Sequence, residues 1–169
     1  MILKAENILD FIPSGLKKFG KLAQIGVDLS ICNITRIKGG KLYQNGKKDI
    51  TKYENVESFL EEDENGDLVK TWKLPKGVYS LTFDQDIKLD NKHGAIIIGR
   101  SCTNRLGCLL RSAIFDSGFE CPNIGATLYV MSDVDVEIQE GSRLAQLVVF
   151  DCEEAKLYNG DYKGKKDLK

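Results

Sequence analysis

The chain has 169 residues, 29% of them charged and 42% hydrophobic, with a formal net charge of -1. That is enough for one domain burying roughly 70% of the surface its unfolded form exposes, without a metal or disulfide staple. The balanced charge argues against a nucleic-acid partner. Apolar runs such as 95–98 and 147–150 fall far short of the roughly 18 residues a membrane helix requires. Lys4, Glu6 and Asp10 stand near the start in place of a basic segment followed by an apolar one. No secretory signal is read, and the cytoplasm is the expected compartment. Five cysteines, Cys32, Cys102, Cys108, Cys121 and Cys152, form no CxxC pair and have only His93 to complete a zinc site, so they are read as free thiols. His93 itself, in the turn-like DNKHG, is read as solvated.

Residues 1–24 mix apolar pairs with Pro13, Gly15 and Lys17-Lys18, which predicts a short helical turn over 8–11 leading into an irregular N-terminal arm. From Ile25 onward, short apolar runs follow one another at 25–37, 42–43, 69–74, 78–83, 95–98, 108–115, 126–131, 134–138 and 144–150. Between them lie Lys38-Gly39-Gly40, Asn45-Gly46, Pro75-Lys76-Gly77 and Glu140-Gly141, where hairpin reversals need positive φ or a fixed proline. The pattern is all-β, a sandwich or barrel. Residues 53–65 break it: Val56, Phe59 and Leu60 stand at helical spacing ahead of Glu61-Glu62-Asp63-Glu64. A surface loop with a helical turn is expected there, its carboxylates solvated, because consecutive loop residues rarely converge on one ion.

Four segments have a composition suited to a polyphosphate: GVDLS, GRSCTNRLG, AIFDSGF and EGSRLAQL. After the strand 95–98, a tight turn at Gly99-Arg100-Ser101-Cys102 would gather backbone N–H groups, the Ser101 hydroxyl and a guanidinium in one concavity that binds phosphate oxygens. An equal alternative has Arg100 pinned to a carboxylate, with Asp28 as its natural partner. Asp116 ends the run 108–115 beside a turn and the ring of Phe119. A partly desolvated carboxylate there can take a proton from an attacking water, worth on the order of 10² to 10⁴ in rate. The commoner fate of such an Asp is simply to open a DSG turn.

The order of these motifs, GVDLS, then GRSC with Arg105 and Gly107, then AIFDSGF, then EGSRLAQLVVF, resembles the trimeric dUTPase and dCTP deaminase superfamily, and within it the archaeal-type dUTPases. Tyr158-Asn159-Gly160-Asp161-Tyr162 is similar to the family's terminal Y-x-G-x-Y. The resemblance implies a single domain over 1–169: a jelly-roll-like distorted β barrel that forms homotrimers with active sites at subunit interfaces, and a tail over 155–169. It implies hydrolysis of dUTP to dUMP and pyrophosphate, which keeps uracil out of DNA and supplies dUMP. Asp116 would activate the water that attacks the α-phosphorus. Arg100, Ser101, Cys102, Arg105 and Gln146 would bind the phosphates, with Asp28 and Gly107 in support and magnesium held through the triphosphate. Phe119 would pack on the deoxyribose and exclude a 2′-hydroxyl, and backbone groups of 120–127 would read the base. Tyr162, Lys163 and Lys165 would close over the nucleotide.

Some positions depart from the family pattern. Cys102 replaces a second serine and weakens a donor. Phe119 stands where many dUTPases have Tyr, residues 120–125 lengthen the base-binding turn, and the end GKKDLK lacks an Arg-containing arm. One alternative is dCTP deaminase. Against it, Tyr129 follows Thr127-Leu128 where deaminases use a Glu, and Gly107 and Asp116 are nine positions apart, a shorter step than in deaminases. A second alternative is a non-catalytic dUTP-binding regulatory protein on the same fold.

Overall fold

The computed structural model describes residues 1–17, 19–49, 53–154, 156–160 and 163–164. Helix α1 (Ala5–Ile8) runs into a 3-10 turn (Leu9–Phe11). Strands β1 (Lys21–Leu22), β2 (Val27–Ile37), β3 (Lys41–Leu42), β4 (Lys48–Asp49), β5 (Tyr53–Asn55), β6 (Ser58–Glu62), β7 (Leu68–Leu74), β8 (Gly77–Phe83), β9 (Ile87–Lys88) and β10 (His93–Gly99) follow. Helix α2 (Ser101–Arg105) then leads to β11 (Cys108–Arg111), β12 (Ile114–Phe115), β13 (Glu120–Cys121), β14 (Gly125–Val130), β15 (Val136–Gln139) and β16 (Arg143–Asp151).

Strand alternation builds the core, as where Tyr79, Leu81 and Phe83 of β8 turn inward at 1% exposure or less. The main sheet runs in the order β11-β14-β8-β2-β16-β10-β12, with β1 and β5 paired to β2. Its two edge strands, β11 and β12, are separated in the chain by only Ser112 and Ala113. So short a link can join opposite edges only if the sheet curls around, so the molecule is the expected all-β barrel. The apolar run 108–115 is therefore two strands and not one. The break falls at Ser112, whose hydroxyl accepts a hydrogen bond from the Ile97 amide at 3.0 Å and donates to the Ile97 carbonyl at 3.2 Å.

One further expectation is corrected. The acidic stretch is no helical loop: β6 pairs with β7, which pairs with β15. The hairpin turns at Asp63–Gly66, where the Asp63 carboxylate accepts from the amides of Asn65 and Asp67 at 2.8 and 3.0 Å. Glu61 and Glu62 lie on an exposed edge strand, where charge discourages pairing with another chain, and Asp63 and Glu64 in its turn. Glu61 accepts from Thr71 and Gln139 at 2.5 and 2.9 Å. The helical turn expected over 8–11 is present as the end of α1 and the 3-10 turn, with irregular chain after it. Ile8 and Ile12 are 0% and 2% exposed, each stabilising the fold by roughly 2 kcal/mol, and the Leu3 amide bonds the Val149 carbonyl at 2.9 Å. Among the described residues no helix is long and apolar enough to cross a membrane.

Candidate functional site

The GVDLS and EGSRLAQL segments meet as neighbours in the sheet, β2 against β16, with Asp28 opposite Gln146 and Ser30 opposite Arg143. In a regular strand Arg143 and Gln146, three apart, would face opposite sides. A register shift between Arg143 and Ala145 absorbs one residue, a β-bulge that puts both side chains on the face of Asp28. The Gln146 amide donates to Asp28 Oδ1 at 2.9 Å. Arg100 Nη2 and Arg143 Nε lie 3.4 and 4.0 Å from Asp28 Oδ2. Asp28 is 4% exposed, so its charge is offset by two guanidiniums and an amide.

The bulge also anchors α2. Its carbonyls turn toward the helix: Leu144 accepts from the Arg100 amide at 3.0 Å and from the Thr103 hydroxyl at 2.6 Å, and Arg143 accepts from Arg100 Nη1 at 3.0 Å. The expected tight turn at 99–102 is thus the start of a short helix, because hydroxyl and backbone bonds to the bulge favour helical geometry from Ser101. Arg100 takes the alternative reading, pinned to Asp28. Gly107 ends the helix at φ 73°, the left-handed stop that glycine takes at least cost. Ser101, Cys102 and Arg105 are exposed on α2, the Cys102 thiol 3.9 Å from the Arg143 carbonyl. Burial and the Asp84 carboxylate push the Cys32 thiol up to about 12, and burial raises Cys108. Asp28, Arg100, Arg143 and Gln146, with Glu6 and Lys21 from the N-terminal segment, line a cleft of about 560 Å³.

Asp116 lies elsewhere. β12 pairs with β10 through Ala95–Phe115, so Asp116 falls beside Gly94 while Arg100 follows Gly99 at the other end. Five residues of strand separate the two, on the order of 15 Å. Asp116 is exposed, not partly desolvated as expected, because the turn buries Ser117 and Gly118 and leaves Asp116 on its outer side. That turn closes through the Phe119 amide to the Asp116 carbonyl at 3.0 Å and the Gly118 amide to the Asp90 carbonyl at 2.8 Å. Phe119 is half-buried, its ring 5.1 Å from Phe115 and 5.4 Å from Tyr158.

The tail returns over this turn. The Tyr158 amide bonds the Ser117 carbonyl at 2.7 Å and the Gly164 amide the Glu120 carbonyl at 2.7 Å. A Cβ on Gly118, at φ +76°, would meet Leu157 at 2.7 Å. Lys163 is exposed; Tyr162 and Lys165 lie outside the described residues. His93 is not solvated as expected. Its Nδ1 lies 2.7 Å from Asp90 and its Nε2 3.4 Å from Asp151, and its ring packs on Phe11 at 4.7 Å. Burial raises the Asp90 carboxyl, but bonds from the Lys92 amide and from His93 outweigh it, and the net position lies below the ordinary value.

Sequence reading assigned nothing to Arg143, Lys21, Glu6 or Tyr158. Arg143 is hidden by the bulge, since a strict period of two puts it out of phase with Gln146. Lys21 and Glu6 belong to an arm with no local pattern. Tyr158 stood in the quoted terminal motif, a signal that could have found it.

A family model described as dCTP deaminase-like matches residues 2–152. The chain is 31% identical over 150 residues to the deoxyuridine 5'-triphosphate nucleotidohydrolase of Methanocaldococcus jannaschii, covering 86% of this chain and 88% of that one. It is 29% identical over 173 residues to a protein of Sulfurihydrogenibium sp. named dCTP deaminase, dUMP-forming, covering 98% and 93%. Among solved structures, 2'-deoxycytidine 5'-triphosphate deaminase from Agrobacterium tumefaciens aligns with a TM-score of 0.60 at 13% identity, covering 88% of this chain and 46% of that one. The chain thus spans less than half of that solved chain, and the likeness is one of fold.

Proposed function

Because the chain belongs to the dCTP deaminase-like family, we propose that it hydrolyses dUTP to dUMP and pyrophosphate, as a homotrimer in the cytoplasm. The observation that carries this reading is the segregation of the motifs. A cation-lined cleft and an exposed carboxylate turn sit at opposite ends of β10, too far apart to act on one phosphate within one chain. Each half is complementary to what the other lacks, which supports a site assembled from neighbouring copies.

In this mechanism Asp116 accepts a proton from water as the water oxygen attacks the α-phosphorus. The bond from that phosphorus to the bridging oxygen breaks, and pyrophosphate leaves. Arg100, Arg143, Ser101 and Gln146 orient the phosphates, with Arg105 and the Cys102 thiol at the rim. A neighbouring copy seated over the turn supplies the desolvation that Asp116 lacks in the single chain. Phe119 packs on the deoxyribose, and the tail with Tyr162, Lys163 and Lys165 closes over the nucleotide. Asp28 is already taken up by Gln146 and the two guanidiniums, so Glu6, exposed on the cleft, is its carboxylate of the ligand type magnesium takes. Held through the triphosphate, magnesium would supply charge neutralisation for the pyrophosphate.

The relative named dCTP deaminase favours a second reading, deamination of dCTP on the same fold. Against it, Tyr129 stands on β14 opposite Leu109 and Val78, and offers no carboxylate to shuttle protons at the cytosine ring. Incubation with dUTP, dCTP and UTP plus magnesium separates the readings. Pyrophosphate from dUTP and not from UTP is the expected result. Uracil formed from dCTP points to deamination, and dUTP binding without turnover to a regulator. Asp116→Asn should retain nucleotide binding and lose at least about 10²-fold in turnover; near-normal turnover sinks the assignment.

A further inference from the structure

Lys21 opens β1 directly opposite Asp28 in the β1–β2 pair. The hairpin that holds it there is tightly specified. The Ala23 amide bonds the Gly26 carbonyl at 3.1 Å, and Gly26 adopts φ +101° with the Leu147 carbonyl 2.8 Å from where a Cβ would stand. Only glycine fits that turn, so the chain enters β2 at one angle and β1 is carried along the edge of the cleft.

Three cations line this cleft, Lys21, Arg100 and Arg143, against two carboxylates, Glu6 and Asp28. The two arginines are already engaged by Asp28. Lys21 makes no side-chain ion pair or hydrogen bond among the described residues. It is therefore the cation that can turn to an arriving anion without first giving up a partner. Its ammonium is a point charge on a flexible stem with three donors, suited to non-bridging phosphate oxygens whose positions shift as a reaction proceeds.

We propose that Lys21 is a polyphosphate-binding residue of this cleft, selecting a triphosphate chain over a monophosphate. The inference rests on the dUTP-hydrolysis reading above. Because that reading gives the phosphate chain to the cleft and the sugar to Phe119, the probe is inorganic tripolyphosphate with magnesium, titrated calorimetrically into the full chain. Lys21→Ala should weaken it about tenfold at low salt, with dUMP binding unaltered. Lys21→Arg should restore most of the loss, and the difference should shrink near 1 M salt, where screening is strong. With dUTP as substrate the loss should fall in KM.

Arg100→Ala and Arg143→Gln separate the two levels of the claim. If both weaken tripolyphosphate and Lys21→Ala does not, the Lys21 inference fails and the cleft reading stands. If none of the three matters, or the native chain does not bind tripolyphosphate, the cleft reading fails and takes the inference with it. Equal weakening of dUMP and tripolyphosphate by Lys21→Ala, or no rescue by arginine, also overturns it.

Discussion

The two ends of β10 are built in different ways. At the Gly99 end, one buried carboxylate, a bulge and a five-residue helix hold one another through bonds the chain makes with itself. At the His93 end, Asp116 is exposed on a turn covered by the tail, through Leu157 against Gly118 and Tyr158 against Phe119. In the proposed function, the side chains that would meet a polyvalent anion are held in place before it arrives, which lowers the ordering cost of binding. The carboxylate proposed to move a proton is left accessible, and under that proposal its final surroundings would come from a neighbouring copy. One end stores organisation in the fold; the other, under the proposed function, would defer it to assembly and closure.

The sharpest way to break this comparison is to remove Asp28. Asp28→Ala strands two guanidiniums and the Gln146 amide, and should cost about 2–3 kcal/mol of stability, read from urea unfolding. Asp116→Asn in the same assay should stay within about 0.5 kcal/mol. A larger loss at Asp116 inverts the contrast.

Next in size is Gly118→Ala, which strains a positive-φ position and drives a methyl into Leu157. It should cost about 1–2 kcal/mol and speed proteolytic cleavage within 156–160, while leaving tripolyphosphate affinity intact. A change in that affinity would show that the two ends are coupled. Thr103→Val removes the hydroxyl bond to the Leu144 carbonyl and should cost about 1 kcal/mol, with weaker tripolyphosphate binding as α2 loosens. The smallest effect concerns acid. The lowered Asp90 carboxyl contributes stability that is present above its unfolded value of 3.8 and lost as pH falls through its folded value. Hydrogen exchange at the Gly118 amide, corrected for intrinsic rate, should show greater opening at pH 3 than at pH 5. His93→Phe should flatten that difference.

Much of the barrel was legible because its long strands alternate and end at turn residues. The run 78–83 became β8 almost unchanged, and 144–150 lies within β16. Three features escaped because they depend on partners distant in sequence. The split at Ser112 interrupts a run that is apolar on both sides, and shows only when Ile97 is beside it. β6 is acidic because it is an edge, a fact about its place in the sheet. Ile8 and Ile12 enter the core by packing with no repeat of their own. In the site, Asp28, Arg100 and Gln146 were expected together and are together. Arg143 was hidden by phase, and the separation of Asp116 from the cleft follows from strand register, which no local motif encodes.

The bulge in β16 also determines where this strand can change length. Every side chain from Ala145 to Asp151 is locked in phase with β10 through seven consecutive pairs, so one residue gained or lost there would turn Leu147 and Val149 out to solvent. At Arg143–Ala145 an extra residue is already absorbed. Shortening the chain at that point would leave Arg143 and Gln146 two apart on the same face. Sequence length can therefore drift at the bulge while the cleft and the core beyond it keep their faces.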